Sequence, residues 1–316
     1  MRISIFPKGE LEALVEGTLE LDEWIARAAE LPIEGVELYS RFLSDDSAVD
    51  RARAALDAHG LAMPMLCCSP DLSNPDPRVR AAEAARMREH IDVARALGGP
   101  GACCRVLTGQ RHPGLDAEET IGIVAEAIIE LVSYATGADV VLGLENHYKD
   151  GFWQYPEFAQ RPEVFLRVLD AIPLTPHFGV QFDPSNALTA GTDSADFLEL
   201  VVDRVVTMQA SDRYLADGLT LDGLRAADGT IGYHEGFRHG VIGRGLNDYG
   251  RIFTTLAESG YNGWISVEDG VNGWDEMAAS VEFLRAARTE HFGGSFGLSV
   301  PASAVAERQG SERRAR

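Results

Sequence analysis

Four polar side chains in the second half of the sequence each close a short apolar run. Glu145 follows 140–144, Asp183 follows 178–182, Gln209 follows 205–208 and Glu268 follows 264–267. Continuous runs rich in β-branched residues read as parallel strands, because a strand covered on both faces has no polar face to alternate with. Helical periodicity lies between the runs. If these strands are neighbours in a barrel, their ends open at one mouth, and three carboxylates and an amide oxygen meet there. Such carboxylates repel one another unless a cation sits between them. The pattern points to a barrel and to a divalent-metal enzyme.

The rest of the chain fits that expectation. Strand signals fall at 2–6, 35–39, 61–66, 101–106, 139–145, 177–183, 204–209 and 263–268. Helical spacing falls at 20–31, 46–59, 76–97, 116–136, 162–172, 194–201, 247–259 and 275–288. Gly60 and Gly137 read as helix stops, and Pro77 as a helix start. Eight strands alternating with about eight helices predict an α/β fold, a (β/α)8 TIM barrel, better than a doubly wound sheet. We read 1–292 as one barrel domain and 293–316, which loses periodicity, as a tail that is mobile or packs on a partner.

Composition narrows the partners. The 316 residues are 45% hydrophobic, enough for one large core. A net charge of −21 disfavours nucleic acid and anionic membranes. No apolar stretch stands out as approaching the ~18 residues of a membrane span, and the first residues read as a strand. The four cysteines form two vicinal pairs, Cys67-Cys68 and Cys103-Cys104, which lack metal-clamp spacing and read as reduced strand residues. A cytoplasmic protein is expected.

Two long connections, 146–161 and 211–246, follow strands that carry proposed ligands, on the face where barrels build active sites. The first is aromatic. His147, two residues after Glu145, shares its side of the strand and is read as a general base, since a neutral imidazole titrates near neutrality. Glu37, ending the second strand, is read as orienting substrate or an arginine. His112 is read as lining the cleft. His234 and His239, beside Arg244, bind substrate or cap the loop.

Several motifs resemble the xylose-isomerase-like sugar phosphate isomerase/epimerase superfamily over about residues 1–290. They are Gly35-Val36-Glu37-Leu38, Leu144-Glu145-Asn146-His147, Asp183-Pro184-Ser185-Asn186, Gln209-Ala210-Ser211-Asp212-Arg213, Gly243-Arg244-Gly245 and Gly260-Tyr261-Asn262-Gly263-Trp264 leading to Glu268. The resemblance implies one divalent metal, Mn2+ first and Mg2+ or Co2+ as alternatives, held by Glu145, Asp183, Gln209 and Glu268. Gln209 stands where the family usually has histidine. Its harder oxygen favours Mn2+ or Mg2+ over Zn2+. Asn186 replaces another common histidine and is read as binding a sugar hydroxyl.

The chemistry implied is proton abstraction beside a carbonyl, with His147, Glu145 or Glu268 as the proton-handling groups. Within the superfamily, the stretch 145–159 looks like the large subunit of bacterial C-glycoside deglycosidases. That likeness implies a lyase that expels an aromatic aglycone from a 3-oxo-glycoside. It also implies a small β-sandwich partner subunit. The alternatives are a keto-sugar or cyclitol isomerase or epimerase acting on a small-molecule sugar, and a non-catalytic scaffold barrel. An oligomer is expected. An endonuclease IV-like nuclease would need a richer histidine set and a basic groove.

Overall fold

A computed structural model describes residues 1–227, 232 and 234–293. The proposed tail beyond residue 293 lies outside the described residues, as does part of the 211–246 connection. The strands are β1 (Arg2–Ile5), β2 (Gly35–Val36), β3 (Leu38–Tyr39), β4 (Met65–Cys67), β5 (Cys103–Val106), β6 (Val141–Glu145), β7 (Phe178–Phe182), β8 (Val205–Ala210), β9 (Arg213–Leu215), β10 (Phe237–His239) and β11 (Trp264–Val267). Nine of them form one sheet in the order β2-β1-β11-β8-β7-β6-β5-β4-β3. Every pairing in it is parallel. The two edge strands, β2 and β3, are separated by the single residue Glu37. They act as one stave, so the sheet closes on itself as a TIM barrel.

The helices are α1 (Leu11–Glu16), α2 (Leu21–Ala28), α3 (Asp46–His59), α4 (Pro77–Gly98), α5 (Ala117–Ala138), α6 (Pro162–Ala171), α7 (Pro184–Ala190), α8 (Ser194–Val201), α9 (Leu221–Ala227), α10 (Tyr249–Glu258) and α11 (Trp274–His291). Their ends follow local chemistry. Asp45 caps α3 by accepting from Ala48 N at 2.9 Å, and Gly60 ends it in the left-handed conformation at φ 64°. Gly137 does not stop α5 as expected. The helix runs through it and ends at Asp139, which takes the left-handed conformation at φ 56°. Helix faces carrying Trp24, Ile25, Ile91, Ile128, Phe165, Phe197 and Phe253 are buried against the barrel. Each such side chain contributes roughly 1.5–3 kcal/mol.

Helix α5 is long and apolar enough by composition to cross a membrane, which the sequence reading did not anticipate. Ile121, Val124, Ile128 and Leu131 on it are buried in the protein core. All four cysteines are free and buried, and Cys68 Sγ lies 3.7 Å from Cys104 Sγ. The connection 146–161 is strapped to the loop after β5: Phe158 N donates to Gly109 O at 2.7 Å and Arg111 N to Pro156 O at 2.8 Å. The connection 211–246 contains the antiparallel β9–β10 hairpin and α9, structure its polar sequence did not announce.

Candidate active site

Glu145, Asp183 and Glu268 converge at the strand ends, each offering a carboxylate oxygen within 4.8 Å of the others. Neighbouring groups hold each of them. Glu145 Oε2 accepts from Arg105 Nη1 at 2.8 Å and its Oε1 from Asn186 Nδ2 at 3.1 Å. Asp183 Oδ1 accepts from Ser211 Oγ at 2.8 Å and caps α7 through Asn186 N at 3.0 Å. Glu268 Oε1 accepts from Lys8 Nζ at 2.8 Å. Asn146 clamps two strand ends together, its Oδ1 accepting from Asp183 N at 2.8 Å and its Nδ2 donating to Asp183 O at 2.7 Å.

The charges at this mouth are unequal. Burial, then the adjacent Glu268 and Glu145 carboxylates, push the Asp183 carboxyl well above the usual range. Burial also opposes ionisation of Glu268, but Lys8 and the hydrogen bond with Asp183 outweigh it and hold Glu268 low. A cation at the mouth would therefore have to displace the proton from Asp183, the group that cannot ionise comfortably beside two carboxylates.

Gln209 lies deeper, wholly buried. Its Oε1 accepts from Gln181 Nε2 at 2.6 Å, and its Nε2 donates to Glu37 Oε2 at 2.8 Å. Glu37 is thus not at a strand end facing substrate. It interrupts the stave between β2 and β3 inside the barrel, and burial raises its pKa to about 8. The amide oxygen of Gln209 uses one lone pair on Gln181, which leaves the second for another partner.

His147 stands beside the carboxylates. Its Nδ1 is 3.2 Å from Glu157 Oε2, and Trp153 meets its ring edge-on at 5.9 Å between centroids. Burial disfavours the charged ring, but Glu145 and Glu157 together raise its pKa. His239 contacts Asp269 through Nδ1; burial, Arg213 and Lys8 push its pKa well below the usual value. His112 is tied to Asp71, its Nε2 lying 2.8 Å from Oδ2, and braces the loop after β5. His234 caps its own loop, its Nδ1 accepting from Gly236 N at 3.0 Å. Arg244 is exposed on a turn pinned by Asp212, whose Oδ2 accepts from Gly243 N and Gly245 N at 2.9 Å each. The structure therefore gathers Glu145, Asp183, Glu268, Asn186 and His147, and gives His112 and His234 local partners instead.

Residues 25–287 match a family described as the xylose isomerase-like TIM barrel. The chain belongs to this family. No curated protein matches the sequence. Solved structures similar to this family member include a D-tagatose 3-epimerase-like protein, with TM-score 0.72 at 19% identity, covering 92% of this chain and 98% of that one. A 3-keto-D-glucoside 4-epimerase from E. coli gives 0.65 at 17%, covering 92% and 99%. A probable 3-DHS dehydratase from Bacillus anthracis gives 0.65 at 15%, covering 90% and 99%. At these identities the likeness establishes the fold.

Barrels of this family typically depend on a divalent metal. The residues present fit one. The three converging carboxylates are an all-oxygen set, suited to a hard cation, and among the described residues Asp183 has no basic side chain bonded to it. Arg105, Lys8 and Glu157 support the site yet were not foreseen. Only Arg105 left a signal, as a charge inside the otherwise apolar strand β5.

Proposed function

We propose that the protein is a divalent-metal-dependent keto-sugar isomerase or epimerase that removes the proton beside a carbonyl, with His147 as the general base. The observation that carries this reading is the convergence of Glu145, Asp183 and Glu268, with His147 near enough to Glu145 for that carboxylate to raise its pKa. The names of two structural neighbours, a D-tagatose 3-epimerase-like protein and a 3-keto-D-glucoside 4-epimerase, support it. A metal bound by Glu145, Asp183, Glu268 and the Gln209 oxygen would polarise the substrate carbonyl and make its α-proton acidic. His147 accepts that proton. Asn186, already on Glu145, offers a neighbouring polar contact for a hydroxyl. Returning that proton from protonated His147 to the neighbouring carbon gives an isomer, while an epimer requires its delivery to the opposite face of the same carbon.

A second reading, elimination of an aromatic aglycone, is favoured by the aromatic wall of the 146–161 connection. Phe152 stacks on Tyr39 at 6.5 Å between centroids, and the Arg41 guanidinium lies 4.0 Å from the Phe152 ring centre. Phe152 remains 47% exposed, open to a flat ligand. A β-sandwich partner subunit belongs to this second reading.

The test incubates the Mn2+-loaded protein with 3-oxo-glucosides in deuterated water and follows the reaction by NMR. Deuterium beside the carbonyl with an epimeric or isomeric product supports the first reading. Released aglycone supports the second. Absence of exchange across a panel of keto-sugars would sink both.

A further inference from the structure

We propose that Glu157 is the positioning residue for His147, fixing the ring in the tautomer that carries its proton on Nδ1 and leaves the Nε2 lone pair free. This rests on the reading of His147 as the base. Glu157 is wholly buried within the aromatic connection, where a carboxylate is costly unless its oxygens are satisfied. Its Oε1 accepts from Thr108 N at 2.7 Å and from Thr108 Oγ1. Its Oε2 faces His147 Nδ1 at 3.2 Å.

The backbone around Glu157 is held at several points. Glu157 N donates to Tyr148 O at 2.8 Å, while Pro156 and Phe158 bond to the loop after β5. Thr108 Oγ1 also accepts from Ala159 N at 3.1 Å. The carboxylate is therefore braced before it meets the ring, and the edge-on contact with Trp153 limits ring rotation. Burial raises the Glu157 pKa, and its hydrogen bonds with His147 and Thr108 oppose that shift. In the ionised form Oε2 only accepts, so the Nδ1 that faces it at 3.2 Å carries the proton. The opposite nitrogen is then an acceptor. This is the arrangement a base needs, with a third group orienting it.

Glu157→Gln tests this while keeping size. The amide oxygen of the variant side chain can still accept from Thr108, which leaves its NH2 facing His147 Nδ1. That NH2 donates, so the ring must move its proton to Nε2. In the Mg2+-loaded protein, 15N shifts of the His147 ring, assigned by loss of signal in His147→Ala, should report Nδ1–H in the wild type and Nε2–H in Glu157→Gln. Turnover in the variant should fall about 10²-fold or more, with KM changing little, as expected for a lost general base. A role limited to bracing Thr108 would leave the tautomer and kcat unmoved. Nε2–H in the wild type, or Nδ1–H retained in the variant, overturns the proposal, and the wild-type spectrum alone decides if the variant fails to fold. A switched tautomer with unchanged turnover upholds the contact and instead removes His147 from the base role.

Discussion

Arg105 Nη1 donates to Glu145 Oε2 at 2.8 Å, joining two side chains that are each nearly sealed from solvent. Arg105 also donates through Nε to Cys68 O at 2.9 Å and through Nη2 to Ser69 Oγ at 3.0 Å. The guanidinium thus ties β5 and the end of β4 to a metal-facing carboxylate. Removing one partner of a buried, hydrogen-bonded pair leaves the other charge uncompensated, at a cost of roughly 3–5 kcal/mol.

Arg105→Ala is therefore expected to lower unfolding stability by about that amount, read from the urea midpoint at constant slope. The double variant Arg105→Ala/Glu145→Ala should be less destabilised than the two single losses added together, because the orphaned carboxylate is gone. Strict additivity would show that the contact is incidental.

Gln209→His should retain a bound metal but shift preference towards Co2+ or Zn2+, because imidazole is a softer donor than an amide oxygen. The substitution also breaks the acceptor role towards Gln181 and the donor role towards Glu37. Competition between Mn2+ and Co2+, followed by metal analysis, checks it. An unchanged preference would place Gln209 in the supporting polar layer and outside the metal's coordination.

The parts of the site legible in the sequence are those written into strand ends. An apolar run that stops at Glu145, Asp183 or Glu268 announces both the strand and the side chain it delivers. Asn186 was singled out through the family resemblance and not by a local pattern; the short helix α7 that carries it, capped by Asp183, had no signal in the sequence reading. Lys8 and Glu157 were not, because their contacts are set by barrel closure and loop strapping. Lys8 meets a residue 260 positions away, and no local pattern encodes that meeting. Glu37 was misplaced for a related reason. It was read at a strand end although the strand signal itself runs on to residue 39; pairing does continue into β3, which leaves the carboxylate inside the barrel. Gly137 misled because glycine permits a stop without requiring one, and α5 keeps apolar faces to its end.

Glu37 makes stability depend on pH in chelator-treated protein. Its folded pKa is raised from 4.5 to about 8, chiefly by burial. Below pH ~4.5 both the folded and unfolded chains hold the proton, and the residue has no pH-linked penalty. As pH rises towards about 8, the unfolded chain releases the proton while the folded chain keeps it, so stability falls. Glu37→Gln removes that loss. Its stability relative to wild type should rise between pH 5 and pH 8 by on the order of a few kcal/mol. Urea midpoints at the two values measure it, and a difference independent of pH would contradict the assignment.

Asp183 ties metal binding to a proton. Without a cation, burial and the two adjacent carboxylates keep Asp183 protonated well above the usual range, and its hydrogen bond with Glu268 uses that proton. A divalent metal needs the ionised carboxylate, so binding must release the proton. Adding Mn2+ to chelator-treated protein near neutral pH should release about one proton per metal, measured by calorimetry in buffers of different ionisation enthalpy. Because metal and proton compete, affinity should rise with pH until Asp183 is ionised in the free protein, then level off. Asp183→Asn has no such proton to lose. It should bind Mn2+ weakly, with little proton release and a flatter pH dependence. Equal release from Asp183→Asn and wild type would move the proton to another group, and unchanged affinity would remove Asp183 from the metal site.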